Sequence, residues 1–195
     1  MYRPLREYLK NKATLSENEI ERIEFLAIPK QVRRKQLLLR EGDVCRHHTF
    51  ICEGIMRLYR TDAKANEHIL KFAVEGWWVS DRESLMSGEP AKSNIEALEK
   101  TQVLQWTKEN FDLLCREIPA FRAMYDQLLA KAIEAIHNRV FDNISMSAEE
   151  KYMHFIKKYP DILNRVPLHM VASYLGITRE TLTRVRNHFL SGPQS

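Results

Sequence analysis

The chain has 195 residues, of which 44% are hydrophobic and 29% charged, with a formal net charge of +4. This length supplies a core for one large domain or two small ones, and the composition excludes an intrinsically disordered protein. So small a charge excludes a non-specific nucleic-acid coat, and the absence of any run of about 18 apolar residues argues against a membrane span.

The N-terminal segment and the cysteines indicate the compartment. Residues 1–12 are charged throughout and lack the apolar segment of a secretion signal. The three cysteines, Cys45, Cys52 and Cys115, are odd in number and scattered, unlike those of a secreted, disulfide-stapled domain. We therefore expect reduced thiols in a cytoplasmic protein.

The first half of the chain predicts one helix and then a series of short strands. A capping box at residues 16–19 precedes apolar positions at helical spacing, and Pro29 is expected to end that helix. Short extended runs follow, separated by turns marked by Gly42, Gly54 and Gly76. The runs are 37–39, 49–52, 55–60, 68–74, Val79, 93–98 and 102–106. Strands at this spacing predict an antiparallel roll or barrel.

The longest helical pattern covers residues 120–144, after a shorter helix that Thr107 begins and Pro119 ends. It contains no Gly or Pro, and a helix of this length spans about 37 Å. Its apolar positions are spaced four, three and four residues apart, which is an a/d seam. The seam consists of Leu129, Ile133, Ile136 and Val140. Such a helix either packs on its own roll or pairs with a second copy of the chain, and the seam favours pairing.

The most specific pattern lies in residues 168–190, after a second capping box at residues 147–150. Two short helices are predicted there, joined at Gly176, which can adopt the positive φ that ends the first helix. Small Ala172 lets the second helix approach, and Thr178 is a suitable N-cap for it. The apolar positions are Val171, Leu175, Ile177, Leu182 and Val185. This combination favours a helix-turn-helix, although any helical hairpin has a similar apolar spacing.

DNA contact is expected on the polar face of the second helix. Arg179, Glu180 and Arg184 project from its N-terminal part, which a helix-turn-helix places in the major groove. Arginine pairs with guanine O6 and N7, and glutamate accepts from the cytosine amino group. The residues assigned to phosphates are Thr178, Thr181 and His169. From residue 148 onward seven Lys or Arg stand against four Asp or Glu, which weakly supports this assignment.

Residues 178–184, with the sequence TRETLTR, resemble the recognition-helix signature of the Crp/Fnr superfamily of bacterial transcription regulators. The resemblance covers nearly the whole chain and implies an α+β fold in three parts. These are an N-terminal antiparallel, cyclic-nucleotide-binding-like β-roll with flanking helices (1–119), a long dimerisation helix (120–146) and an all-α helix-turn-helix domain (147–195).

The same resemblance implies how the parts work together. In this family the long helix pairs two subunits, the roll holds a small effector, and the dimer binds a two-fold-symmetric operator. Members usually carry a β-hairpin wing after the recognition helix, whereas this chain resembles a shorter, wingless branch. The tail that follows, residues 191–195, is too short and too rich in helix breakers to fold.

The effector pocket departs from that of members that bind cyclic AMP. Those carry Gly-Glu-Leu after a strand-ending glycine, followed by an Arg-Ser or Arg-Thr that pairs with the phosphate. Here two tryptophans follow Gly76, and a lysine stands near the position of the arginine. The candidate pocket residues are Trp77, Trp78, Ser80, Asp81, Arg82, Lys92 and Ser93. No cofactor is predicted, and we expect a different effector, or none, in place of cyclic AMP.

Metal and catalytic chemistry find little support in the sequence. Cys45, His47, His48 and Cys52 are metal-ligand types, but along an extended strand each face would present only two of them. An iron–sulfur cluster needs four neighbouring cysteines, which this chain does not supply. The sequence contains no nucleophile elbow, Gly-rich phosphate loop or metalloprotease helix motif. We therefore expect neither a metal site nor an enzyme.

The sequence thus predicts a homodimeric, sequence-specific DNA-binding transcription regulator. Its expected partners are double-stranded DNA and a second copy of the chain, with RNA polymerase and an unidentified small-molecule effector as further candidates and no membrane. The alternative is a cyclic-nucleotide-binding-like signalling module whose helical C-terminal domain binds a protein. A steep loss of DNA affinity with rising salt would separate the two hypotheses.

Overall fold

A computed structural model describes residues 2–190, so the predicted tail at residues 191–195 lies outside the described residues. The chain divides into two compact units. Within the described residues, the first comprises residues 2–66 and 70–130, and the second comprises Glu67–Ile69 and residues 131–190. The predicted three-part division into domains stays a prediction.

The first unit is a β-roll of two four-stranded antiparallel sheets, which confirms the predicted fold class. The strand order is β1-β8-β3-β6 in one sheet and β2-β7-β4-β5 in the other. The strands are β1 (Ile28–Val32), β2 (Leu37–Leu39), β3 (His47–Glu53), β4 (Met56–Thr61), β5 (Glu67–Ala73), β6 (Trp78–Val79), β7 (Asn94–Ala97) and β8 (Thr101–Thr107). Each predicted run coincides with one of these strands to within two residues.

Helices flank the roll, and some of them were not predicted. They are α1 (Arg3–Lys12), α2 (Glu17–Phe25), α3 (Arg82–Ser87), α4 (Lys108–Glu117) and the start of α5 (Pro119–Ser145). Helix α2 begins at the predicted capping box. The prediction that Pro29 ends this helix is wrong, because α2 stops at Phe25 and Pro29 lies in β1. Strand β1 is at a sheet edge, where a residue without a backbone N–H is tolerated.

Alternation along the strands explains how the roll builds two hydrophobic clusters. Neighbouring strand residues point to opposite faces, so Phe50 and Leu104 pack with the helices while Ile51 and Val103 pack inside the roll. The helix-side cluster is centred on the fully buried Trp106, whose Nε1 donates to the Ile23 carbonyl of α2 at 2.9 Å. The helix-side cluster therefore joins the flanking helices to one face of the sheet.

Apart from Glu67–Ile69, the second unit is helical. After the C-terminal part of α5 it contains α6 (Ala148–Lys158), α7 (Ile162–Arg165), α8 (Leu168–Leu175) and α9 (Arg179–Leu190). The predicted capping box starts α6, where the Ser147 side chain accepts from the backbone N–H of Glu150. The buried residues include Tyr152, Phe155, Tyr159, Val171, Leu175, Leu182 and Val185. Three helices thus enclose a small core of their own.

The turn between α8 and α9 is a Schellman motif. Gly176 has φ 67°, and the backbone N–H of Ile177 donates to the Ala172 carbonyl at 3.1 Å. Gly176 itself donates to the Ser173 carbonyl at 3.3 Å. A residue with a Cβ is strained at this φ, so glycine is the residue that allows α8 to end here. The predicted position of the turn is confirmed.

Across residues 2–190, none of the helices combines the length and apolarity needed to cross a bilayer.

Candidate nucleic-acid interface

One side of helix α9 is anchored by buried apolar residues. Leu182 and Val185 are 0% and 1% exposed, so this face of the helix is fixed in the core of the second unit. The N-terminal end is capped by Thr178, whose Oγ1 accepts from the backbone N–H of Thr181 at 3.1 Å. The cap and the buried face together fix the rotation of the helix, which leaves its polar face exposed.

The exposed face of α9 forms an open groove of about 520 Å³ lined by five side chains. They are Arg179, Glu180, Thr183, Arg184 and Asn187. Three of these were predicted from the sequence, whereas Thr183 and Asn187 were not. Thr183 lies four residues and Asn187 eight residues beyond Arg179, so helical spacing would have predicted that they share its face. The groove runs over more than two turns of the helix.

Charges in the groove suit the edges of base pairs. Hydrogen bonds from its own backbone N–H and from the Thr178 side chain lower the pKa of Glu180. The ionised carboxylate is an acceptor only, so it suits a donor such as the cytosine amino group. Arg179 and Arg184 are both exposed, and each carries a planar guanidinium that suits guanine O6 and N7.

The three candidate phosphate ligands lie at two helix N-termini. His169 is exposed at the second position of α8, and Thr178 is exposed directly before α9. Thr181 is half-buried, and its hydroxyl lies 3.1 Å from that of Thr178. Their assignment to phosphates stays a prediction.

Helix α5 carries a stripe of exposed apolar side chains, here called the α5 stripe. Of the four predicted seam residues, Leu129 is half-buried, whereas Ile133, Ile136 and Val140 are 54–62% exposed. The stripe continues through Phe141 and Ile144, which were not predicted. Its members are Ile133, Ile136, Val140, Phe141 and Ile144. Large apolar side chains exposed in a row are typical of a protein interface.

The candidate effector residues are not brought together at one site. Trp78 is 8% exposed and packs in the helix-side cluster against Phe50, Trp106 and Phe111, with ring centroids 5.3–5.7 Å apart. Trp77 packs instead against the cluster inside the roll, because it is the neighbouring residue. The two tryptophans therefore contribute to the two separate cores.

The remaining candidate effector residues have local roles around α3. The Asp81 side chain caps α3, in which Arg82 is the first residue, and Ser80 Oγ donates to a backbone carbonyl. Lys92 pairs with Glu83 at 2.5 Å, and the buried Ser93 accepts from Arg60 Nε at 3.2 Å. Their assignment to an effector pocket stays a prediction.

Two of the candidate metal ligands of the roll, Cys45 and His48, are buried. His48 is 4% exposed, stacks on Phe111 with ring centroids 3.7 Å apart, and lies 3.1 Å from the Tyr125 hydroxyl. Burial lowers the pKa of His48 to about 4. Burial also raises the pKa of Cys45, and it raises the pKa of Cys52 to about 11. Burial therefore disfavours the thiolate form of these cysteines, which is the form that binds metals.

Comparisons with known proteins agree with this architecture. Residues 29–117 match the cyclic nucleotide-binding domain family. The chain is 26% identical over 188 residues to the regulatory protein HlyX of Actinobacillus pleuropneumoniae, covering 90% of this chain and 78% of HlyX. It is 24% identical over 188 residues to the fumarate and nitrate reduction regulatory protein of Vibrio cholerae, covering 90% and 74%.

A solved structure has a similar fold. FixK2 from Bradyrhizobium japonicum matches with a TM-score of 0.73 at 17% sequence identity, and the match covers 85% of each chain. At this identity the likeness concerns the fold alone.

Proposed function

We propose that the chain is a transcription regulator of the Crp/Fnr type, which binds duplex DNA sequence-specifically as a homodimer on a two-fold-symmetric operator. Its match to the cyclic nucleotide-binding domain family and its likeness to two curated regulatory proteins support this proposal. Helix α9 is the recognition helix in this proposal. Arg179 and Arg184 pair with guanines, and Glu180 accepts from a cytosine.

The observation that carries the proposal is the groove on α9. Its two arginines and its ionised glutamate share one exposed face, while Leu182 and Val185 hold the opposite face in the core. A side chain can contact a base edge only if its helix is anchored in the protein and the polar group of the side chain is exposed. Helix α9 meets both conditions.

The α5 stripe supports the homodimer. Helix α5 has 27 residues, which corresponds to about 40 Å, and the stripe exposes 54–82% of each of its apolar side chains. A second copy of the same helix offers the same apolar spacing, so pairing about a two-fold axis buries both stripes at once. Two α9 helices related by that axis would match the two halves of a symmetric operator.

Cyclic AMP is not the effector in this proposal. The position that follows Gly76 is occupied by two tryptophans, one of which fills the helix-side core. Near the position of the phosphate-binding arginine, Lys92 is paired with Glu83 and Ser93 is buried. A lysine also lacks the bidentate geometry with which arginine holds a phosphate. These contacts support a different effector, or none.

Selection from a random pool of DNA duplexes, followed by sequencing, tests the function. We expect an enriched motif with two inverted half-sites, bound at least about 10³-fold more weakly at 200 mM than at 50 mM salt because phosphate contacts release counterions. A protein-binding signalling module would enrich no motif. Failure to enrich any motif, with the protein folded and dimeric, would contradict the proposal.

A further inference from the structure

Thr183 lies within the α9 groove, but its hydroxyl does not face outward. Its Oγ1 donates to the Arg179 carbonyl one turn earlier in the helix, at 2.9 Å. The side chain as a whole is exposed and lines the groove beside Glu180 and Arg184. The exposed part of the Thr183 side chain is therefore the other group on its Cβ, the methyl group.

The geometry of a threonine side chain decides which of its groups is exposed in the groove. The hydroxyl and the methyl group are fixed on the same Cβ, so locking the hydroxyl against the backbone also fixes the direction of the methyl group. A hydroxyl bonded to the carbonyl four residues earlier has donated its only proton. Thr183 thus presents an apolar group between a carboxylate and a guanidinium.

We propose that Thr183 recognises a thymine through contact between its γ-methyl group and the thymine 5-methyl group. This inference rests on the proposed function, because it requires α9 to lie in the major groove. Among the four bases only thymine presents a methyl group there, and apolar side-chain groups recognise it. Each operator half-site therefore contains a T·A pair next to the pairs contacted by Glu180 and Arg184.

Replacement of thymine by uracil tests this inference directly, because uracil differs only in lacking the 5-methyl group. Each thymine of the selected half-site is replaced in turn, and the affinity of the full-length protein is measured by fluorescence anisotropy at fixed salt. We expect one position at which the replacement weakens binding about fourfold, the equilibrium equivalent of one buried methyl group. The other thymines should tolerate the replacement.

Two matched variants separate the methyl group from the hydroxyl. Thr183→Ser keeps the hydroxyl and loses the methyl group, so the affinity ratio between the thymine and uracil duplexes should fall from about fourfold to about one. Thr183→Val keeps the methyl group and loses the hydroxyl, so it should retain the fourfold ratio. Any effect of uracil on the DNA itself is the same for all three proteins and cancels in the comparison.

The opposite pattern would overturn the inference. A ratio retained by Thr183→Ser and lost by Thr183→Val would assign the recognition to the hydroxyl. A selected operator bound tightly by the protein, but insensitive to uracil at every thymine, would exclude the methyl contact and leave the proposed function intact. If no duplex is selected at all, the proposed function fails and the thymine contact fails with it.

Discussion

At the scale of single residues, Arg184 is the side chain on which sequence recognition most depends. It is exposed in the middle of the groove, one turn from Glu180. We expect Arg184→Ala to weaken binding to the selected operator by about 1 to 3 kcal/mol and to weaken binding to random duplex much less. Anisotropy titrations on both duplexes would measure the two losses.

Arg184→Lys is the matched control, since it keeps the positive charge and removes the planar guanidinium group. It should lose most of the operator preference while binding random DNA as the wild type does. Equal losses on both duplexes in Arg184→Ala would mean that Arg184 contacts only the phosphate backbone.

His48 gives the roll a pH-dependent stability. Burial places its folded-state pKa, about 4, below the ordinary histidine value of 6.5, so the unfolded chain binds more protons between these pH values. The contribution is complete above about pH 6.5 and is lost as the pH falls towards 4. We expect the free energy of unfolding to decrease by roughly 2 kcal/mol between pH 7.5 and pH 5 from this residue alone.

Denaturant titrations monitored by tryptophan fluorescence would measure the effect, because Trp78 and Trp106 lie in the same cluster as the His48 partner Phe111. The control is His48→Asn, which lowers stability by removing the ring stack but should have a flatter pH dependence. An identical pH dependence in the two proteins would rule out His48 as its source.

At the scale of elements, the turn between β3 and β4 depends on Gly54. Its φ is +98°, and an added Cβ would lie 2.5 Å from Thr101 Oγ1 and 2.9 Å from the Lys100 carbonyl oxygen. Gly54→Ala therefore adds a steric clash to the strain of a positive φ. Gly42 is the matched control, because its φ is +92° but an added Cβ meets nothing within 4 Å.

Both alanine variants should lose about 1 to 2 kcal/mol of unfolding free energy through backbone strain. Gly54→Ala should lose about 1 to 3 kcal/mol more, because the neighbouring strand must shift. Thermal and denaturant unfolding of the pair would measure the difference. Equal destabilisation would show that the strand end at Thr101 can move freely.

Helix α5 is the element that decides the oligomeric state. Replacing Ile133 and Ile136 together by glutamate places four charges in a paired interface, so we expect monomers with much weaker operator binding. The double variant Ala135→Glu and Asn138→Glu has the same spacing and adds the same number of charges on the opposite face of the helix, where it should leave the dimer intact. Sedimentation velocity would distinguish the outcomes. A monomeric wild-type protein would contradict the proposal.

At the scale of the whole molecule, two-fold symmetry fixes the layout of the operator. Two recognition helices that enter successive major grooves on one side of the duplex are separated by about 34 Å, or one helical turn. We expect a footprint with two protected half-sites whose centres lie about 10 base pairs apart. Inserting five base pairs between the half-sites turns them to opposite sides of the duplex and should abolish high-affinity binding. Tolerance of that insertion would exclude a rigid symmetric dimer.

The sequence by itself determined the features that depend on neighbouring residues. Helical spacing and the αL requirement at Gly176 predicted the helix-turn-helix, and the capping boxes located the starts of α2 and α6. Turn residues divided the roll into strands, and the four-three-four spacing predicted an apolar face on α5. Short-range hydrogen bonds and periodicity decide these features, so they can be read locally.

Only the tertiary structure decided the features that depend on distant partners. Helix α1 reads as a charged segment, but Leu5 and Leu9 are fully buried in the helix-side cluster. Trp78 looks like a pocket residue, yet its strand turns it into the core. The hydrogen bond from the Thr183 hydroxyl to the Arg179 carbonyl depends on a rotamer that spacing cannot give. Burial and side-chain direction follow from packing between segments far apart in the chain, and no local pattern contains that information.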